Sequence, residues 1–262
     1  MKKIYLLVVF NLVASTFLFW KTINHGNILG TRKQSIEVVT PTLFKMPENT
    51  VAVMEGGKTF WVTWIKVPDK NKVFLYPNFT EKDSARNLIA KNKCKYLVNG
   101  SYYTKDDQPL GLFLSNGLML KDKTASNLMP GIFFISSDNK EVDIAYDLAG
   151  KNVRLALQIG PMLVESGKTK NLMIKDDDLA RRMVVALTSD KEIIFITIYD
   201  SDLLFSGPKL TNLPDILMQF TEKSGISLSK AANLDGGSAS AFYTGTFFLE
   251  ELSYIGSYFC IL

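Results

Sequence analysis

The sequence predicts an α+β fold, a single domain with a mixed, largely antiparallel central sheet flanked by a few helices. Strand-like segments rich in β-branched and aromatic residues outnumber helical ones several-fold. Only two stretches carry clear helical spacing, and each connects strand-like runs. The βαβ alternation is too sparse for a doubly wound nucleotide fold, and neither a G-x-G-x-x-G loop nor a G-x-x-x-x-G-K loop is present.

In chain order, Val51 to Val67 alternates, with Thr59 to Val67 reading as a strand, and Val73 to Pro77 forms another. Asp83 to Asn92 has helical spacing: Ala85, Leu88 and Ile89 share one face, and Asp83 stands near the start as the cap. Tyr96-Leu97-Val98 is a buried strand. Leu112 to Leu120 makes a hairpin about Ser115-Asn116-Gly117, and Gly131 to Ile135 and Leu155 to Ile159 follow as strands. Gly160 and Pro161 then impose a sharp turn. Met183 to Leu187 and Glu192 to Tyr199 pair around Ser189-Asp190-Lys191. Thr211 to Glu222 is the second helix, since Leu213, Ile216, Leu217 and Phe220 fall at i, i+3, i+4, i+7, and Pro214 is tolerated in its first turn. Short strands at Ala241 to Tyr243 and Tyr258 to Leu262 end the pattern.

With 262 residues, 47% hydrophobic and 21% charged, the chain can bury a sizeable core. The net charge of +4 comes without a Lys/Arg block, as in Lys66-Val67-Pro68-Asp69-Lys70-Asn71-Lys72, and argues against nucleic-acid binding. The single histidine, His25, lies outside the predicted domain and reads as a linker residue. A Ser-His-Asp or Cys-His apparatus therefore has no imidazole in the core, and catalytic zinc usually takes one. No metal and no cofactor is expected. Cys94 and Cys260 match no metal spacing, and two buried thiols are the expectation.

Lys2 and Lys3 precede an apolar run from Ile4 to Trp20. At ~1.5 Å per residue it covers about 26 Å, slightly short of a ~30 Å hydrocarbon core. Residues 1–21 read as an uncleaved signal-anchor in preference to a removed signal peptide. Cleavage near Val13-Ala14-Ser15 would leave Thr16-Phe17-Leu18-Phe19-Trp20 as an exposed apolar terminus; a buried core helix is a weaker third reading. Residues 22–49 read as a tether and 50–262 as the domain. Contact with a membrane through residues 4–20 and an extracytoplasmic location, in the periplasm or on the outer face of the cytoplasmic membrane, follow from this reading.

Three loops repeat one pattern, an apolar strand followed at once by polar residues and glycine: Asn99-Gly100-Ser101-Tyr102, Gly160-Pro161-Met162-Leu163 and Asp235-Gly236-Gly237-Ser238. The pair Arg181-Arg182 enters a fourth apolar run. Singly, each has a plain reading as a turn or a surface charge. Taken in order, Asn99-Gly100-Ser101-Tyr102-Tyr103, Gly160-Pro161-Met162-Leu163-Val164, Arg182-Met183-Val184-Val185-Ala186 and Asn233-Leu234-Asp235-Gly236-Gly237-Ser238 resemble the motifs of the phosphodiester glycosidase family, across roughly residues 50 to 262. The last motif is the specific one. Ser101 stands where the family has glycine, Met183 where it has a small residue, and Ala186 and Tyr199-Asp200-Ser201 also depart from it, which marks a divergent bacterial-type member.

The resemblance implies an exported hydrolase that cleaves the glycosyl–phosphate bond of sugar-1-phosphodiesters. Its phosphate leaving group needs charge neutralisation more than a strong acid, which suits Arg182 as a clamp. Oxocarbenium character at the anomeric carbon calls for a carboxylate, and Asp235 is the candidate. Asn99 is assigned to a sugar hydroxyl, the amides of Gly236, Gly237 and Ser238 to phosphate oxygens, and Gly100, Tyr102 and Gly160 to the substrate-binding surroundings. Asp200 and Glu165 are both open as a second carboxylate. The run Asp176-Asp177-Asp178 lacks the order of a calcium loop and reads as solvated. The alternative is a non-catalytic carbohydrate- or envelope-binding module on the same fold. A serine hydrolase using Ser238 is weak, because no core histidine exists to activate it. A glycan or sugar phosphodiester is the expected partner under either leading reading.

Overall fold

The computed structural model describes residues 46–262. The signal-anchor expected at residues 1–21, His25 and most of the expected tether lie outside the described residues. Among those described, no helix is long and apolar enough to cross a membrane.

The domain is β-dominated, with three antiparallel sheets in place of the one mixed sheet expected. A seven-stranded sheet runs in the order Thr50–Glu55, Lys58–Lys66, Ile193–Asp200, Arg182–Thr188, Leu228–Asn233, Met162–Glu165, Lys168–Thr169. A five-stranded sheet orders Phe248–Leu249, Phe242–Tyr243, Tyr96–Asn99, Ser257–Ile261 and Val73–Pro77. The other five-stranded sheet orders Leu118–Lys121, Phe113–Ser115, Val153–Ile159, Gly131–Ser136 and Val142–Ala145.

Two split βαβ units explain why the mixed expectation fails. Helix α1 (Ala85–Asn92) joins Val73–Pro77 to Tyr96–Asn99, and helix α2 (Leu213–Ser224) joins Ile193–Asp200 to Leu228–Asn233. In each unit the two strands run the same way but leave a slot. Ser257–Ile261 fills the first slot and Arg182–Thr188 the second, each antiparallel to both neighbours. A sparse helical count thus coexists with crossovers and no parallel ladder.

Local chemistry sets the helix ends. Ser84, and not Asp83, caps α1: its hydroxyl accepts from Asn87 N at 3.4 Å, and Lys93 closes the helix in the left-handed conformation. Helix α2 begins after a short 3-10 turn at Leu210–Asn212, with Pro214 in its first turn and Gly225 at its end. Its predicted apolar face is buried: Leu213, Ile216, Leu217 and Phe220 cover one side of the seven-stranded sheet.

The main core lies on the other side of that sheet, where all three sheets meet. Phe195, Phe259 and Phe133, one from each sheet, pack with ring centroids 4.9 Å (Phe195–Phe259), 5.6 Å (Phe133–Phe259) and 6.4 Å (Phe133–Phe195) apart. A smaller cluster under α1 contains Cys94 and Cys260. These are joined, with sulfurs 2.00 Å apart, and are not the two free thiols expected. The register Cys260↔Leu97 brings the C-terminal strand beside Tyr96–Asn99, so residues 166 apart in sequence become neighbours.

Phe259→Ala removes the ring that touches both other sheets. It is expected to destabilise the domain by about 3–5 kcal/mol, read as a lower urea midpoint; a loss below about 1 kcal/mol would deny the triad its role.

Candidate active site

The four motif segments converge at one end of the domain, and they come from all three sheets. Asn99 ends a strand of the first five-stranded sheet, Gly160 follows a strand of the second, and Arg182 and Asn233 lie at one end of the seven-stranded sheet. Three contacts stitch these ends together. Asp235 N donates to Gly100 O at 3.1 Å, Gly160 N donates to Asn233 O at 3.0 Å, and the Tyr102 hydroxyl lies 2.9 Å from both Gly160 O and Leu234 O.

Two glycines are required by close approach. A Cβ on Gly236 would stand 2.7 Å from Arg181 O, and one on Gly160 would stand 2.3 Å from Leu128 O. Gly237 has a φ of +65° and turns the loop back into the short 3-10 turn Gly237–Ala239.

Asp235 sits at the centre of this construction. Among the described residues, the only hydrogen bond to its carboxylate is from Gly236 N at 2.9 Å, and part of its surface stays open. Burial raises its carboxyl to about 7, against a small opposing effect of the Gly236 N–H. Tyr102 and Tyr103 flank it. Burial first, and the Asp235 charge second, hold both phenols above their ordinary range.

Asn99 is buried, and its side chain serves the loop. Its amide donates to Asp235 O at 2.7 Å and its carbonyl accepts from Ala241 N at 3.0 Å. It thereby clamps both sides of the glycine loop. The expected amide cradle is also mostly committed: Gly236 N goes to Asp235 and Gly237 N to Arg181 O at 2.8 Å. Ser238 is exposed, and its carbonyl accepts from Leu252 N and Ser253 N. Gly100 and Gly160 contribute backbone groups and close approach.

Arg182 and Asp235 both act electrostatically on the Tyr102 phenol, the first lowering and the second raising its pKa. Arg182 Nε donates to Pro208 O at 3.0 Å, and its Nη2 meets Asp177 at 3.2 Å and Asp178 O. The guanidinium side chain is 12% exposed, and burial lowers its pKa against the pull of Asp177. A wide-open bidentate fork is therefore absent, and Nη1 is the nitrogen left for a ligand. Asp177 is no solvated loop residue. It accepts from Leu210 N, Thr211 N and Thr211 Oγ1 at 2.7–2.8 Å and anchors the entry to α2. Burial works to raise its carboxyl, but those bonds and Arg182 outweigh it and hold it low.

Glu165 is excluded as a second carboxylate. It pairs with Tyr146 and Lys170 at the opposite end of its strand. Asp200 shares the Arg182 end of the sheet, yet it accepts from Asp202 N at 2.9 Å and stands 3.9 Å from Lys58. A surface hollow of about 540 Å³ lies elsewhere, between α2 and the Leu228 end of its neighbouring strand. Volume and candidate chemistry do not coincide.

Sequence reasoning passed over Arg181 and Asn233. Arg181 is fully buried beneath the loop, and Asn233 donates to the Tyr102 hydroxyl and to Leu234 O while its Oδ1 finds no partner among the described residues. The double arginine before an apolar run was the available signal for the first, and the motif's own leading asparagine for the second.

The phosphodiester glycosidase family model matches residues 92–256. No curated protein matches the chain in sequence. Among solved structures it is similar to the zebrafish N-acetylglucosamine-1-phosphodiester alpha-N-acetylglucosaminidase catalytic domain, auto-inhibited by its pro-peptide. Identity is 17% over 81% of each chain, with a TM-score of 0.63. A hypothetical protein from Synechocystis is also similar, at 13% identity over 81% of this chain and 61% of that one, with a TM-score of 0.59. At these identities the likeness is one of fold.

The raised carboxyl has a sign that can be tested. The folded chain keeps a proton on Asp235 from about pH 4, its unfolded pKa, up to about pH 7, so stability falls as pH rises through that window. Asp235→Asn should match the parent near pH 4 and exceed it at pH 8 by about 1–3 kcal/mol, a figure reduced for the group's partial exposure. Urea unfolding at the two pH values decides; a variant less stable at pH 8 would show that the carboxylate is stabilised, not penalised.

Proposed function

The chain belongs to the phosphodiester glycosidase family, and from that premise we propose that it hydrolyses the glycosyl–phosphate bond of sugar-1-phosphodiesters at the Asp235 loop. The observation that carries the reading is a carboxyl poised near neutrality inside a loop built by all the motif segments.

Ionised Asp235 takes a proton from a water that adds to the anomeric carbon. The C1–O bond breaks with its electron pair on the bridging oxygen, and the products are the free sugar and a phosphate monoester. That leaving group carries its own negative charge and needs little protonation. Arg182, through Nη1, supplies positive charge where the phosphate departs. Tyr102 and Asn233 fix the strand ends that present Asp235. Neither step calls for an imidazole.

Location is part of the proposal. The Cys94–Cys260 bridge supports an oxidising compartment, in keeping with export directed by the apolar run at residues 4–20. External protease added to spheroplasts should digest the domain; a protected domain would sink the export reading.

Activity is tested on a chromogenic or natural sugar phosphodiester. Asp235→Asn should lower kcat by about 10²–10⁴-fold, and Arg182→Ala should lower kcat/KM by about 10²-fold. The parent's kcat/KM should rise with pH through about 7, as the carboxyl ionises, and level off above it. Full activity in Asp235→Asn removes the mechanism, and glycan binding without turnover in the parent favours a binding module instead.

A further inference from the structure

We infer that Arg181, outside the family-like motif residues, is a positioning residue that holds the Asp235 loop in its closed conformation. The inference rests on the reading of Asp235 as the reacting carboxyl.

Arg181 is fully buried, which is costly for a guanidinium unless every donor is matched. The acceptors come from three separate loops around the site. Nε donates to Ser240 Oγ at 2.7 Å, Nη2 to Ser240 O and to Glu250 O at 2.6 Å, and Nη1 to Leu204 O at 3.3 Å. Its ring neighbour is Phe205, whose centroid is 5.6 Å from the guanidinium carbon.

The same residue holds the other end of the glycine loop through its main chain. Gly237 N donates to Arg181 O at 2.8 Å, and the absence of a Cβ on Gly236 is what lets that carbonyl in. Ser240 Oγ in turn donates to Gly237 O at 2.6 Å. Residues 236–240 are therefore pinned at entry by the Arg181 carbonyl and at exit by its side chain. Few placements of one residue could restrict a five-residue turn more.

The counter-charge is Glu251, which ties the network to α1. It favours the charged form of Arg181 electrostatically, while its Oε1 accepts from Ala85 N at 2.7 Å. Its buried Oε2 has no hydrogen-bond partner among the described residues. A carboxylate left half-satisfied in this way is tolerable next to a buried cation and expensive without one.

Relaxing the loop would admit water to Asp235. The titratable groups coupled to it are Tyr102 and Tyr103, phenols that are neutral at ordinary pH and that burial pushes higher still. Neither changes charge near neutrality, so the loop's closure governs the Asp235 titration.

The test uses the full chain with Arg181→Lys and Ser240→Ala. The Asp235 carboxyl is followed by carbon-13 NMR through a pH titration and assigned by its loss in Asp235→Asn. Both variants should shift the titration downward, Arg181→Lys by about one pH unit. On a sugar phosphodiester, kcat should fall about tenfold with KM nearly unchanged, and Arg181→Gln should be worse than Arg181→Lys. Parental titration in either folded variant overturns the inference; should Arg181→Lys fail to fold, Ser240→Ala decides alone. A parent that turns over no sugar phosphodiester fails the proposed function, while the NMR titration still decides the role of Arg181.

Discussion

Three phenylalanine rings, Phe133, Phe195 and Phe259, hold three sheets to one shared core, and the position of the candidate site follows from that packing. An antiparallel sheet whose strands all end at the same rim offers its loops as a cluster. Here three such rims are forced into register by one core, so Asn99, Gly160, Arg182 and Asn233 arrive together although the chain separates them widely. Backbone bonds between Gly100, Gly160, Asn233 and Asp235 then lock the rims to one another. The site is less a pocket than a junction.

Most of the residues at that junction act on the backbone. Asn99, Tyr102 and Asn233 donate to carbonyls of the loop or of its neighbours, and Gly236 makes room for the Arg181 carbonyl. What this leaves behind, among the described residues, is one partly buried carboxyl with a single donor. Burial then dominates its titration, since among the described residues no ion pair offsets it. Arg182 is held off by its own partners, Asp177 and the carbonyls of Pro208 and Asp178. A site that kept Asp235 salt-bridged would lower its pKa and cost it the capacity to exchange protons near neutrality.

Much of this was legible in the residues, for physical reasons that can be named. The apolar face of α2 and the strands of the core announce themselves by periodicity, since burial on one side dictates spacing. The glycine loop was legible because close approach and a positive φ exclude other residues. Sheet partition was not: the slot between Val73–Pro77 and Tyr96–Asn99 is closed by residues far along the chain, and no local pattern encodes that pairing. The hydrogen bonds that Asn99 and the Gly236 and Gly237 amides make within the loop were not legible for a related reason. A polar group beside a motif carboxylate suggests a ligand contact, and only the fold reveals that its hydrogen bonds are already made. The disulfide depends on the same long-range pairing, and Asp177 looked solvated because its partners at Leu210 and Thr211 lie beyond the hairpin of Arg182–Thr188 and Ile193–Asp200.

The strand Ser257–Ile261 lies inside its sheet, between two strands made far earlier in synthesis. Until it emerges, Val73–Pro77 and Tyr96–Asn99 each present an unpaired edge, Phe259 is missing from the core, and Cys94 has no mate. Closure of this sheet therefore waits on a segment made long after both edges that it joins, so the core stays open until distant stretches of chain have found one another.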